Sequence, residues 1–512
     1  MQSSLSRTRS LSILAIAILL LAQAAINFAY SQQPTETVSL PPSPVGKVAA
    51  TTLQILNSGD EQKMLAFIRS HFAEQSLKET SAADRLMFFK RLYKQTGGLN
   101  VMQVSPDSNE RFLVLDVKSK RSNHWARLIV ILSRAQSEKL AEVATIPIRD
   151  QNAEKAEVWP QTKLSDAAVV REIRRHVELA AAEDRFSGVV LVSKGPRTIF
   201  HRAYGMAEKG FAVPNRPDTK FNLGSMNKMF TSIAVAQLVA AGKFSFSDKL
   251  ATVLPEYPNK QAAEKITVHH LLTHTSGLGD FFSNPEFRPH RERYRNPVDY
   301  FPLFANDPLR FEPGARFSYS NAGFIVLGAI VERHSGENYF DYVRKHIFLP
   351  AGMKDTDSYE LTEVVPNLAV GYAHFEDDPM GADPRRSNIA FLPWKGSPAG
   401  GGYSTAPELL NFSQALRAHT FLNEKFTELV TSSKLSMAGS PRKADYGYGF
   451  TSQTVGGREI RGHGGGGANS GINSSLEIFW NGSYTVIVMG NYDSPAAEDL
   501  AHKICEFLAL QQ

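Results

Sequence analysis

Along residues 46–158, the spacing of hydrophobic residues changes from a helical to a strand period. Apolar residues recur at helical spacing from Val48 to Phe72, with a break near residues 57–60, and again from Ala82 to Thr96. Runs with strand character follow, separated by turn-rich segments: Leu99–Val104, Arg111–Lys118, His124–Ser133 and Leu140–Ile148. Helices followed by an antiparallel meander predict a small α+β domain.

The pattern beyond this domain predicts strands at both ends of a largely helical region. A polar linker over residues 150–164 precedes an amphipathic helix over residues 165–182. Two hairpins and a last helix are expected: residues 186–193 with 198–204, residues 475–480 with 483–489 around a type I′ turn at Asn481-Gly482, and the helix 496–510. We therefore expect an α/β domain over residues 159–512, with one antiparallel sheet assembled from both ends.

The N-terminus has the pattern of a secretory signal peptide over residues 1–31. Arg7 and Arg9 precede an uncharged apolar run, and Ala29-Tyr30-Ser31 fits a cleavage site. Residues 32–45 are rich in proline and polar residues, which is typical of a flexible leader. The sequence thus predicts a periplasmic or secreted protein, with an uncleaved membrane anchor as the alternative.

Charge and cysteine content argue against nucleic-acid binding and against an intrachain disulfide. The 512 residues carry a net charge of +5, which falls to about +3 without Arg7 and Arg9. The sequence contains no basic stripe interleaved with aromatic residues, which is the pattern that would indicate nucleic-acid binding. The single cysteine, Cys505, excludes an intrachain disulfide and is expected to be a buried thiol in the last helix.

Ser225 and Lys228 form the first candidate catalytic pair. They lie three residues apart at the start of an apolar helical pattern that ends at Gly242, so both side chains share one helix face. A lysine buried in such a setting loses basicity and can accept the proton of a serine nucleophile. The same spacing recurs at Ser440 and Lys443, where Pro441 and the lack of an apolar helix indicate a chance match.

Two further segments offer proton transfer and substrate contacts. Tyr319 lies before an apolar helix, where a nearby ammonium group would lower the pKa of its phenol, and Asn321 offers an amide donor and acceptor. His463 could orient a substrate carbonyl or carboxylate, and the glycines after it allow close approach to their backbone. One of those backbone amides, with the amide of Ser225, could form an oxyanion hole. The alternatives are a tyrosine that caps its loop and a flexible glycine loop with a surface histidine.

In this order, the three segments resemble the motifs of the serine β-lactamase and penicillin-binding-protein superfamily. They read Ser225-Met-Asn-Lys228, Tyr319-Ser-Asn321 and His463-Gly-Gly465, and stretches such as His270–Leu278 and Pro398–Thr405 are also similar. The resemblance covers about residues 165–510 and is nearest to the class C β-lactamase-related branch. Residues 46–158 lie outside it. Their order of elements loosely resembles cystatin-like or NTF2-like folds, without a motif that assigns a role.

That resemblance implies a β-lactamase/transpeptidase-like fold and an enzyme that needs neither a metal nor another cofactor. It implies Ser225 as the acyl-forming nucleophile, Lys228 as its base and Tyr319 as a group that assists proton transfer and deacylation. Substrate would be bound by Asn321, His463, Gly464 and Gly465. The backbone N–H groups of Ser225 and Gly466 would form the oxyanion hole.

One departure from the family pattern bears on the substrate. Many β-lactamases and carboxypeptidases have Lys-Thr-Gly where this chain has His-Gly-Gly, and a neutral histidine anchors a carboxylate less well than lysine does. We therefore expect an exported serine hydrolase that cleaves an ester or amide of a small molecule or short peptide, D-amino-acid peptides included. A β-lactamase or D-Ala-D-Ala carboxypeptidase is the first alternative. A non-catalytic protein that binds peptidoglycan or a partner is the second. The basic segment 281–309 is expected to rim the site.

Overall fold

The structure is a computed structural model that describes residues 38–105, 108–133, 135–136, 138–148, 158–374, 384–437, 444–467 and 469–512. The predicted signal peptide, residues 32–37 of the leader and the Ser440/Lys443 pair lie outside the described residues. The chain divides into two compact units, one formed mainly by the residues up to 151 and the other by the residues from 152 onward.

The first unit has the element order that the sequence predicts. Its elements are α1 (Pro44–Ser58), α2 (Glu61–His71), α3 (Glu74–Glu79), α4 (Ala82–Thr96), β1 (Leu99–Val104), β2 (Phe112–Ser119), β3 (Trp125–Leu132) and β4 (Leu140–Ile148). In its described residues, the four strands pair antiparallel in chain order. Leu113, Leu115 and Val117 alternate along β2 and are fully buried in one core with residues of the helices. Helix α3 was not predicted, because its six residues are too few to establish a period.

The second unit contains the predicted hairpins and the helical region between them. Its first half comprises α5 (Asp166–Ala182), β5 (Gly188–Lys194), β6 (Arg197–Tyr204), β7 (Met206–Glu208), β8 (Val213–Pro214), β9 (Phe221–Asn222), α6 (Asn227–Ala240), α7 (Leu250–Val253), α8 (Lys260–Lys265), α9 (Val268–Leu272), α10 (Asn321–Ser335) and α11 (Tyr339–Val343). Its second half comprises β10 (Tyr372–Ala373), β11 (Arg386–Ser387), β12 (Tyr403–Ser404), α12 (Ala406–Arg417), α13 (Glu424–Thr431), β13 (Leu435–Ser436), β14 (Asp445–Tyr446), β15 (Thr451–Val455), β16 (Arg458–Gly466), β17 (Asn473–Phe479), β18 (Tyr484–Gly490) and α14 (Ala496–Ala509). Short 3-10 or π helices lie at Gly224–Met226, Phe281–Ser283, Arg291–Arg293, Pro297–Leu303 and Arg344–Phe348.

A central antiparallel sheet is assembled from both ends of this unit, as predicted. Among the described residues its strand order is β13-β14-β15-β16-β17-β18-β5-β6, so the last strand of the chain pairs with the first of the unit. Both sheet faces are buried, and neighbouring residues of β5 illustrate this. Val190 packs in the core formed with α5 and α14, whereas Leu191 packs in the core that contains α6 and α10. The sheet therefore lies between two helical layers.

The hairpin between β17 and β18 differs from the expected turn. The strands end at Phe479 and resume at Tyr484, so four residues connect them. Neither Asn481 nor Gly482 has a positive φ, which a type I′ turn requires at both central positions. The prediction of a two-residue type I′ turn is therefore wrong, although the hairpin itself is present. The Gly482 carbonyl accepts a hydrogen bond from Arg417, a contact from another element that a local signal does not contain.

Two buried helices and one loop form the support of the site. Helix α6 is buried on all sides along its first ten residues, Asn227–Ala236, and packs against α10. Three consecutive carbonyls of the loop before β12 accept hydrogen bonds from α6: Ser397 from Asn227, Pro398 from Thr231, and Ala399 from Lys228. The start of α6 is thus held by three neighbours: α10, this loop, and strand β16, which contacts the turn before the helix.

Within the residues that the structure describes, no helix is both long enough and apolar enough to cross a bilayer.

We predict that a fragment beginning at residue 158 folds on its own. Both cores around the large sheet are formed by residues of the second unit alone, so removal of the first unit deletes none of their members. Urea unfolding followed by circular dichroism and by tryptophan fluorescence should show one coincident cooperative transition. A fragment that binds a hydrophobic dye and unfolds without a cooperative transition would contradict the assignment of residues 159–512 as a domain.

Candidate active site

Ser225 lies in a single turn of 3-10 helix that leads directly into α6. The turn spans Gly224–Met226, and the side chain of Asn222 accepts a hydrogen bond from the Gly224 amide at 2.9 Å. Gly224 has a φ of 49°, a conformation that favours glycine. Ser225 is half-buried and faces a cavity, whereas Lys228, one turn later, is fully buried. The predicted pair is thus brought together on one helix face.

The three neighbours of the Lys228 amine fix its orientation. Its Nζ lies 3.1 Å from Ser225 Oγ and 2.8 Å from Asn321 Oδ1, and it donates to the Ala399 carbonyl. A neutral amine has two N–H groups and one lone pair. Because both carbonyl oxygens can only accept, they take the two N–H groups, and the lone pair faces the Ser225 hydroxyl. The amine is therefore oriented to receive the serine proton.

Asp280 determines which end of the Asn321 amide faces Lys228. Its carboxylate accepts from Asn321 Nδ2 at 2.7 Å and from the Asn321 backbone amide at 3.3 Å. The amide nitrogen is thereby held away from Lys228, so Oδ1 is presented to the amine. Asn321 lines the cavity, but its oxygen is already engaged by Lys228. The role of Asn321 as a substrate ligand stays a prediction.

Burial lowers the pKa of Lys228 from the usual range of an alkylammonium to about 7. The negative charge of Asp280 acts in the opposite direction, since it favours the ammonium form. Near pH 7 a substantial fraction of the amine is therefore neutral and can act as a base.

Tyr319 lies over the same amine, although not with the ionisation that we expected. The centre of its ring is 4.8 Å from Lys228 Nζ, and its hydroxyl hydrogen bonds with Ser225. Although 38% of the residue is exposed, burial of the phenol raises its pKa, and the charges of Asp280 and Glu498 add to the rise. The expectation that a nearby ammonium lowers this pKa is wrong, because desolvation is the larger effect. The Tyr319 phenol therefore stays protonated at neutral pH.

His463 is buried, and both of its ring nitrogens contact the protein. Nε2 lies 3.2 Å from the hydroxyl of Tyr446, and Nδ1 bonds to the Gly464 carbonyl. The expected surface-loop alternative does not apply, because residues 458–466 form β16 in the middle of the sheet. His463 does not line the cavity that contains Ser225.

His463 is the end of a hydrogen-bond chain that begins beside Tyr319. The Ser320 amide donates to His274 Nδ1 at 3.1 Å, so His274 Nε2 carries the proton and donates to Tyr446 at 3.0 Å. The Tyr446 hydroxyl can then donate to His463 Nε2, and His463 Nδ1–H to Gly464. Every donor and acceptor in this chain is satisfied with both imidazoles neutral.

The pKa values of both histidines agree with that protonation state. Burial lowers the pKa of His463 to about 3, and it lowers the pKa of His274 well below the usual range of imidazole. The proximity of Lys228 lowers both pKa values further. His274 also stacks on the Tyr319 ring, with ring centres 4.2 Å apart. The chain therefore connects the second and third motifs without placing a cation beside Lys228.

The glycines of the third motif bring its backbone against the turn of Ser225. A Cβ on Gly465 would lie 1.8 Å from the Leu223 carbonyl oxygen and 2.9 Å from the Ser225 nitrogen. A Cβ on Gly224 would lie 2.6 Å from the Gly466 nitrogen. Only glycine permits both approaches. Ser225 and Gly466 both line the cavity, whereas Gly464 and Gly465 do not. The two predicted oxyanion donors thus lie on adjoining backbone segments.

The cavity in front of Ser225 has a volume of about 370 Å³. It is lined by residues of the Ser225 turn, the second motif, Gly466 and segments 359–361 and 391–403. Of the basic segment 281–309, only Phe281, Phe282 and Arg288 reach it. The expectation that this segment rims the site therefore holds for its beginning and not for its other arginines.

The chain sequence did not reveal three residues of this arrangement. They are Asp280, His274 and Tyr446. Asp280 contacts a residue 41 positions away and Tyr446 a residue 172 positions away, so no local spacing marks either. His274 also has a φ of 57°, which is unusual for a non-glycine residue and is visible only in the structure.

In the described ranges, no three or more His, Cys, Asp and Glu side chains are grouped so that they could hold a metal ion. Cys505 is a buried free thiol in α14.

Comparison with known proteins gives matches over the second unit. A family model described as Beta-lactamase matches residues 173–510. A penicillin-binding protein of Bacillus subtilis (strain 168) is 30% identical over 298 residues, which are 55% of this chain and 63% of that protein. Esterase EstB of Burkholderia gladioli is 28% identical over 322 residues, covering 57% of this chain and 81% of the esterase. The crystal structure of a penicillin-binding protein from Bacillus halodurans superposes with a TM-score of 0.56 at 30% identity, over 68% of this chain and 100% of that one.

We predict that the rate at which a fluorophosphonate labels Ser225 rises with pH to a plateau, with a midpoint near 7. Only neutral Lys228 can accept the serine proton, and its pKa is about 7. Asp280→Asn should move the midpoint to lower pH, because the carboxylate stabilises the ammonium form. Glu286→Gln, which removes an exposed carboxylate from the same segment, is the matched control. A midpoint in the range of an ordinary lysine would contradict this assignment of the base.

A second prediction concerns the chain between the histidines. Tyr446→Phe leaves His274 Nε2–H without its acceptor and His463 Nε2 without its donor, which should lower the free energy of unfolding by about 1–3 kcal/mol. Labelling of Ser225 should slow several-fold, because the Tyr319 ring rests on His274. Urea unfolding and labelling kinetics measure the two effects.

The control is Tyr448→Phe, which removes a similar hydrogen bond to His269 outside the cavity lining. It should cost comparable stability and leave labelling unchanged. Equal labelling rates for the two variants would exclude a positioning role for Tyr446.

Proposed function

Because the chain belongs to the beta-lactamase family and is a serine hydrolase of that family, we propose that it cleaves an ester or amide through an acyl-enzyme formed on Ser225. The observation that carries the proposal is the 3.1 Å contact between Ser225 Oγ and an amine whose lone pair can only face that hydroxyl. The chain spans 63% of the length of the penicillin-binding protein from Bacillus subtilis. The activity of the whole protein is therefore proposed and is not taken over from that relative.

Acylation begins when the Lys228 amine takes the proton of the Ser225 hydroxyl. The serine oxygen attacks the substrate carbonyl carbon, and the negative charge that develops on the carbonyl oxygen is stabilised by the amides of Ser225 and Gly466. The backbone segments that carry these amides approach each other closely, which holds the two donors side by side. The bond to the leaving group then breaks and leaves an acyl group on Ser225.

Tyr319 delivers a proton to the leaving group. Its hydroxyl hydrogen bonds with Ser225 and is protonated at neutral pH, so it can donate where a phenolate could not. The ammonium form of Lys228 beside its ring can restore that proton. In deacylation, water replaces the leaving group, the same groups remove its proton, and the acyl–Ser225 bond is hydrolysed.

The geometry of the third motif favours esters and neutral amides over substrates held by a carboxylate at that motif. His463 is neutral, buried and bonded on both nitrogens, so it provides no cation for a β-lactam carboxylate. We assign it a positioning role on β16. Gly465 acts similarly, through the close approach of its backbone to the Ser225 turn, whereas Gly464 lies against the side chain of Glu498. D-Ala-D-Ala carboxypeptidase and β-lactamase activities are the second candidates, since penicillin-binding proteins are among the similar proteins.

Export completes the proposal. Residues 1–31 are proposed to direct the chain to the periplasm or outside the cell, where esters and cell-wall peptides are accessible to it. The first unit has no motif that indicates chemistry. Its contribution to substrate choice can be measured with a substrate panel run with and without it.

The test is a substrate panel combined with active-site labelling. The protein should hydrolyse p-nitrophenyl esters and D-aminoacyl anilides more efficiently than a chromogenic cephalosporin, and a fluorophosphonate should label it. Ser225→Ala should abolish labelling and lower kcat/KM by at least about a thousandfold. Ser432→Ala, a serine of the same unit that does not line the cavity, is the control. Labelling that persists in Ser225→Ala would refute the nucleophile assignment. Ligand binding without any turnover would favour the non-catalytic alternative.

A further inference from the structure

The charged side chains that line the cavity all have one sign. Arg288 and Lys395 line it, and no aspartate or glutamate does so among the residues that the structure describes. Lys228, His274 and His463 do not line the cavity. The charged groups that line the cavity are therefore cationic, and no catalytic step requires either of them.

Arg288 differs from the other arginines of its segment in having no polar partner in the described ranges. Arg291 donates to the carbonyls of Ile389 and Leu392, and Arg295 pairs with Glu360. The guanidinium of Arg288 lies instead 5.7 Å from the centre of the Phe391 ring. It is exposed to the cavity with its donors available to a ligand. Arginine in this setting can bind a carboxylate through two hydrogen bonds.

The cavity that contains Ser225 and Arg288 also has a large apolar lining. Its members are Phe281, Phe282, Leu361, Phe391, Leu392 and Ile472. Such a surface favours a hydrocarbon or aromatic segment, and it offers no charge to compete with Arg288. Since His463 provides no cation at the third motif, an anion in this cavity is best stabilised at the Arg288 side.

We infer that the natural substrate is an ester or amide with an apolar body and a carboxylate remote from the bond that is cleaved, and that Arg288 binds this carboxylate. The inference rests on the proposed function and adds the substrate class. Lys395, whose Nζ lies 4.1 Å from the centre of the Phe340 ring, adds to the positive potential at the wall.

Pairs of substrates that differ only in this charge test the inference. Mono-p-nitrophenyl esters of glutaric, adipic and suberic acid are tested first. Each is compared with the p-nitrophenyl ester in which the free carboxylate is converted to a methyl ester. A phenylacetyl ester of 4-hydroxybenzoic acid is compared with its methyl ester, which places the carboxylate on the leaving group. At low salt, at least one acid should have a KM about tenfold below that of its methyl ester, with kcat little changed. Added salt should reduce the difference, because Arg288 is exposed.

Variants assign this preference to a residue. Arg288→Gln should remove the preference and leave the hydrolysis of the methyl esters within about twofold of wild type, whereas Arg288→Lys should retain part of it. Arg293→Gln is the matched control, since it removes the same charge from an exposed arginine of the segment that does not line the cavity.

Two outcomes overturn the inference: no acid is preferred over its methyl ester, or Arg288→Gln affects acids and methyl esters equally. If no ester is hydrolysed, protection of Ser225 from the fluorophosphonate is measured with suberic acid monoanilide and its methyl ester. Better protection by the acid, lost in Arg288→Gln, supports the inference, and equal protection overturns it. Loss of all Ser225 labelling would instead refute the proposed function, so the two failures are distinguishable.

Discussion

The requirement that a buried lysine amine be held neutral, with its lone pair directed at a serine hydroxyl, accounts for most of the architecture around Ser225. Desolvation makes the amine a base, but only its two carbonyl neighbours give that base a direction. One carbonyl comes from α10 and the other from the loop before β12. The burial of α6, its packing on α10 and the hydrogen bonds of that loop are therefore conditions for the chemistry as well as for stability. Asp280 is part of the same constraint, because it prevents the Asn321 amide from presenting its nitrogen to the amine.

The electrostatic surroundings of the amine follow from the same constraint. A fixed cation beside Lys228 would lower its pKa further, and an unpaired carboxylate would raise it. The chain Ser320–His274–Tyr446–His463–Gly464 fills the space between the second and third motifs with groups that are polar, fully hydrogen bonded and neutral. Buried polar groups of this kind are costly unless every member is paired, and here each is. These hydrogen bonds show that a histidine at the third motif differs from a lysine in more than its charge. His463 is also a structural link between the second and third motifs.

The parts of this arrangement that the sequence predicts are those whose cause is local. Helices α1, α2 and α4, the meander of the first unit and the two hairpins follow from periodicity, and Ser225 and Lys228 meet because a helix turn places them together. The prediction of a type I′ turn was wrong, and the loop that replaces this turn is contacted by Arg417 from another element. The phenol pKa of Tyr319 was misjudged because its sign depends on how much water surrounds the hydroxyl, which spacing does not reveal. His274, Asp280 and Tyr446 act through contacts between distant residues. A single sequence contains no record of such contacts.

The cavity combines opposite demands without conflict. The amine beside Ser225 must be neutral, whereas Arg288 and Lys395 place positive charge on the cavity lining. A substrate carboxylate bound to Arg288 cancels a positive charge at the wall when it binds. Its negative charge is thereby compensated locally, so it has little effect on the pKa of Lys228. A carboxylate bound at the third motif has no such compensation here, because His463 is neutral, and its charge would favour the ammonium form of Lys228. An anion site with its own cation therefore lets one cavity accept a charged substrate while it keeps its base neutral.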